Sequence, residues 1–97
     1  MKILDRPPEH LEVSPTTWAD ILLLSSQWGW QPSHSTINLM GNGVEVSASD
    51  ACSLSAVIDR ILAKALLDPM HFYPVRADMG MLSQVGDFCR DGGFTIR

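Results

Sequence analysis

The sequence predicts an α+β domain in which three helices pack with a small antiparallel sheet, built from a central hairpin and a C-terminal strand. Three observations carry this expectation. Apolar residues recur at three-and-four spacing over 18–28, 54–66 and 82–89, short β-prone pieces flank Gly41-Asn42-Gly43, and Phe94-Thr95-Ile96-Arg97 alternates at the end of the chain. With 97 residues there is room for one core, burying roughly 65% of the unfolded surface, and residues 1–97 read as a single small domain.

Taking the elements in order, residues 1–13 contain Pro7-Pro8. Each proline restricts its own backbone and that of its predecessor to extended geometry, so the segment reads as an extended N-terminal arm, with residues 2–4 at a sheet edge. The first helix starts at Ser14 as cap, with Pro15 in the first helical position and Val13 placed to staple against Trp18. Trp18, Ile21, Leu22, Ser25 and Trp28 share one face of it. Gly29 ends it, and Trp30 folds back toward Leu24.

Thr36-Ile37-Asn38-Leu39 and Val44-Glu45-Val46 on either side of Gly41-Asn42-Gly43 then predict the central hairpin, since Asn-Gly tolerates the positive φ of a tight turn. The second helix has the strongest signals. Ser47-Ala48-Ser49-Asp50 resembles a capping box, Asp50 also complements the helix dipole, and Leu54, Val57, Ile58, Ile61, Leu62, Ala65 and Leu66 form its apolar stripe. After a proline-bracketed loop over 69–77, Asp78 caps a third helix with Leu82, Val85, Phe88 and Cys89 inward, and Gly92-Gly93 stops it. The last strand pairs with the hairpin or with the arm.

Composition narrows the functional classes. Seven Lys and Arg stand against eleven Asp and Glu, a net charge of -4, and the basic residues are scattered singly. That argues against nucleic-acid binding and favours a basic partner through long-range attraction. The longest apolar run, over 21–24, is far too short to span a bilayer, and the N-terminus lacks a signal-peptide core; both point to the cytoplasm and away from a membrane. Cys52 and Cys89 are too few for a disulfide framework and read as buried free thiols.

The chemistry of catalysis finds little support. His10, His34, His71, Cys52 and Cys89 show no metal-ligand spacing, so no metal or other cofactor is expected. Cys89 follows Phe88 on an apolar face near a helix C-terminus, where a thiolate is disfavoured. Asp87 and Asp91 sit at i, i+4 on a solvated face, a common arrangement without catalytic meaning by itself. Gly41-Asn42-Gly43 lacks the Lys and Ser or Thr of a phosphate loop.

Trp18 and Trp28 fit the core, whereas Trp30, Phe72 and Tyr73 lack firm structural places and stand as candidate recognition residues. Taken together, the segments 18–32 with Gly29-Trp30-x-Pro32, 46–66 with Asp50-Ala51, and Phe88-Cys89-x-x-Gly92-Gly93-Phe94-x-Ile96 resemble a group of small uncharacterised bacterial proteins. The resemblance implies an architecture and a bacterial origin, with no activity to carry across. The expected function is a non-enzymatic protein-interaction module, an inhibitor or immunity-like factor for a basic partner. The alternative is a small-molecule-binding or hydrolytic module near the 69–77 loop, with His71, Tyr73 and Arg76 as polar groups. A third reading is a homodimer, joined through apolar surface around Met79 and Met81.

Overall fold

The computed structural model describes residues 1–67 and 79–97. The described chain is α+β, with four helices covering one face of a four-stranded antiparallel sheet. In chain order the elements are β1 (Lys2–Arg6), β2 (Glu9–Val13), α1 (Pro15–Gln27), α2 (Thr36–Leu39), β3 (Val44–Val46), α3 (Ala48–Leu67), α4 (Met79–Arg90) and β4 (Phe94–Ile96). The strands lie in the order β2-β1-β4-β3.

The expected arm is half of this sheet. Pro7 and Pro8, joined by a cis peptide, form the turn of a β1–β2 hairpin in which Leu4 faces Leu11 and Lys2 faces Val13. Consequently β1 is an inner strand rather than an edge, bonded on its other side to β4. Period-two alternation then sends Leu4, Val13, Val46, Phe94 and Ile96 into the core and leaves Asp5, His10, Glu12, Glu45 and Thr95 on the outer face.

The hairpin expected around Gly41-Asn42-Gly43 does not form. Ser35 accepts a hydrogen bond from the Asn38 amide at 3.2 Å and starts the short helix α2, so only Val44–Val46 is a strand, and it pairs with β4. The reason lies in side-chain direction. On one strand Ile37 and Leu39 would share a face, but Leu39 is buried while Ile37 is 82% exposed, and the helix separates them. Trp18 fixes the arrangement by donating its indole N–H to the Leu39 carbonyl at 2.9 Å.

The helices α1 and α3 start at their sequence signals, whereas Asp78, the expected cap of the third long helix, lies outside the described residues. Ser14 accepts from the Thr17 amide, and Gly29, at φ +96°, closes α1 with bonds from the Gly29 amide to Ser26 and from the Trp30 amide to Ser25. Ser47 accepts from the Asp50 amide at 3.1 Å to start α3. Its buried face runs through Ala51, Leu54, Ser55, Ile58 and Ile61, each large apolar one contributing about 2 kcal/mol. The stripe ends sooner than its sequence pattern, since Leu66 is exposed. Where α3 meets α4, a Cβ on Gly86 would lie 2.9 Å from Ile58 Cγ2, so glycine allows the close approach. Gly93 has the same role at the start of β4, where a Cβ would lie 2.5 Å from the Val46 carbonyl oxygen.

Candidate functional site

The two edges of the sheet differ in how their backbone groups are used. Ile3 exchanges both its backbone bonds with Arg97, at 3.0 and 2.8 Å, which continues the β1–β4 ladder beyond Leu4. Because bonding alternates along an antiparallel pair, Ile3 has nothing left for Glu12 across the hairpin, and Glu12 and His10 turn their N–H and C=O groups outward. These groups have no hydrogen-bond partner among the described residues. The same alternation turns Glu45 outward on β3, but there His34 Nε2 reaches the Glu45 carbonyl at 3.0 Å. A carbonyl only accepts, so Nε2 carries the proton in this contact.

Beside the open β2 edge lies a groove of about 280 Å³ between the strand and α4. Glu9, His10 and Leu11 form one wall, and Gln84, Asp87, Phe88 and Asp91 form the other. Asp87 stands on the solvent side of α4, away from the buried Val85 and Cys89, and Asp91 follows the helix end, also exposed. With Glu12 on the same strand, four carboxylates surround this edge.

Arg6 holds the groove together from below. Its Nη1 donates to the carbonyls of Phe88 at 2.7 Å and Gly92 at 3.2 Å, serving acceptors at the end of α4 that no further helical turn would satisfy. The guanidinium lies over the Phe88 ring, 4.2 Å from its centroid, and Phe88 in turn meets Phe94 edge-on at 5.7 Å. Its Nη2 is 3.8 Å from Glu9 and 3.9 Å from Asp91, both largely exposed. Arg90 bridges Asp59 and the groove carboxylate Asp87, at 3.2 Å each. The two local cations thus pair with three of the four carboxylates around the edge, which nevertheless remain largely exposed.

A larger open depression of about 810 Å³ runs over the outer face, bordered by Asp5, His34, Asn38, Glu45 and Thr95. Its charged groups do not converge on a common point. Asp5 accepts from Arg97 Nε at 2.7 Å, and His34 is engaged with Glu45.

The residues expected to act in recognition fall differently. Trp30 is a core residue, 4% exposed, whose indole N–H donates to the Asp50 carbonyl at 3.1 Å. The helix-ending turn at Gly29 swings Trp30 back over the core, which removes it from any recognition surface. His71, Phe72, Tyr73 and Arg76 lie outside the described residues. Trp28 is partly buried against the core, and Asp50, besides its place in the first turn of α3, accepts from the Ser33 amide at 2.9 Å.

Cys89 is buried as expected, and burial, opposed only in part by Arg6, pushes its thiol from the usual 9.0 up to about 12. Cys52, in contrast, is exposed, because it lies one position past Ala51 and so off the α3 stripe. Among the described residues no three His, Cys, Asp or Glu side chains are grouped to hold a metal ion, and no helix is long and apolar enough to cross a membrane.

Comparison with known protein families, curated proteins and solved structures returns no match.

Proposed function

We propose that this chain is a non-enzymatic protein-interaction module, an inhibitor or immunity-like factor of bacterial origin that engages a basic partner. The observation behind the reading is the gathering of Glu9, Glu12, Asp87 and Asp91 around a sheet edge left unpaired among the described residues. Arg6 pairs with Glu9 and Asp91, and Arg90 with Asp59 and Asp87, so carboxylates outnumber the local cations. Carboxylates so placed attract a cationic surface over a distance on the order of the ~10 Å Debye length and set its orientation on arrival. Cys89 offers no competing chemistry, since a thiol pushed up to about 12 stays protonated at neutral pH. The bacterial origin rests on the sequence resemblance, whose Gly29-Trp30 and Gly92-Gly93-Phe94 residues serve the architecture.

Calorimetric titration with a lysine-rich peptide tests this reading at two salt concentrations. Binding should weaken as salt rises and should fall by about tenfold or more in a Glu9→Gln, Asp87→Asn, Asp91→Asn variant whose circular dichroism is unchanged. Equal binding by the parent and the neutralised variant would remove the basis for it.

A further inference from the structure

Resting on that reading, we propose that the basic partner binds by adding an extended segment to the free edge of β2, with basic side chains at every second position. A strand laid beside β2 would meet the outward N–H and C=O groups of His10 and Glu12, which no described residue satisfies. It would lie about 4.8 Å from β2 and so above the groove that α4 borders. Its alternate side chains, in line with Glu9 and Leu11, would point toward Gln84, Asp87 and Asp91, while the intervening ones would lie on the outer face beside His10 and Glu12.

The charge pattern selects the occupant. A second copy of this chain would bring another Glu9, Asp87 and Asp91 against the first set, a like-charge juxtaposition that opposes edge-to-edge dimers. Lys or Arg at alternate positions instead meets Glu9, Asp87 and Asp91, which stay largely exposed although each also pairs with Arg6 or Arg90, and the backbone ladder supplies affinity without a deep pocket. The opposite edge does not offer the same welcome, because His34 already takes the Glu45 carbonyl.

Glu12→Pro tests backbone pairing through the preference between two peptides of equal charge, since it also removes one of the four edge carboxylates. The lost N–H points away from β1, so the hairpin ladder is kept, while one donor to the added strand is removed. The probe is a synthetic peptide of about seven residues alternating lysine and valine, a usual strand length, compared with a peptide of equal charge whose lysines are contiguous and followed by glycines. The parent should prefer the alternating peptide by about tenfold, and Glu12→Pro should abolish that preference. His10→Pro removes the other outward donor and no carboxylate, so it separates pairing from charge and also serves should Glu12→Pro fail to fold.

Equal affinity of the parent for the two peptides, or a preference that survives in both proline variants, overturns strand addition while leaving the charge-based reading standing. No binding of either peptide overturns both. A concentration-dependent dimer in sedimentation that Glu12→Pro dissolves would overturn the choice of a basic partner in favour of a second copy.

Discussion

The two edges of the sheet solve the same problem in different ways. Both β2 and β3 leave outward backbone groups that another chain can pair with, and natural sheets usually cover or charge such edges. On β3 the strand is only Val44–Val46, and His34 occupies the Glu45 carbonyl. On β2 the strand runs from Glu9 to Val13, its outward groups at His10 and Glu12 have no partner among the described residues, and carboxylates from two distant parts of the chain stand around it. On the proposed reading, charge keeps this edge from pairing with itself and at the same time sets the kind of partner that it accepts.

Substitutions can break or sharpen this contrast. The largest effect should come from Gly93→Ala, since the new Cβ would meet backbone atoms of Val46, Ser47 and Ala48 that hold β3 against the start of α3. We expect a loss of about 3 kcal/mol in urea unfolding. Arg6→Ala should cost about 2 kcal/mol by the same measurement, because two helix-end carbonyls lose their donor and Phe88 loses its cation. That change should also loosen β2 relative to α4, visible as faster amide exchange across the hairpin.

His34→Ala should cost only about 0.5 kcal/mol, as it removes one exposed hydrogen bond. Its informative consequence is at the edge: the Glu45 carbonyl becomes free, and β3 should gain weak, salt-insensitive affinity for extended peptides. Glu12→Pro should change stability as little, by about 0.5 kcal/mol in thermal or urea unfolding, because its amide points away from β1 on an edge strand. A loss of several kcal/mol there would mean that the Glu12 amide serves the fold rather than a partner.

Much of the helical framework is legible in the sequence because its signals are local. Ser14-Pro15 and Gly29 bound α1, Ser47 starts α3, and the stripe from Leu54 to Ile61 identifies its buried face. Thr36-Ile37-Asn38-Leu39 misleads because β propensity in four residues weighs less than one serine cap and the burial of Leu39. Pro7-Pro8 rightly excludes a helix, yet the alternation of Leu11 and Val13 after it carried the further signal that the arm returns as a strand.

The candidate site is harder to read because it depends on strand order. Asp87 and Asp91 are recognisable as a helical pair, but nothing local brings them beside Glu9, and nothing local tells which backbone groups of β2 face outward. Trp30 shows the converse. The same glycine turn that the sequence announces also places the indole in the core, so an aromatic next to a helix end is better assigned to packing than to recognition.

Amide hydrogen exchange followed by NMR, with and without the alternating lysine–valine peptide, tests the central claim most directly. The amides of His10 and Glu12 should exchange rapidly in the free protein and slow by about tenfold or more at saturating peptide, with Glu45 unchanged. Bound peptide that leaves His10 and Glu12 exchanging as before would contradict the claim that the open edge of β2 is where the partner pairs.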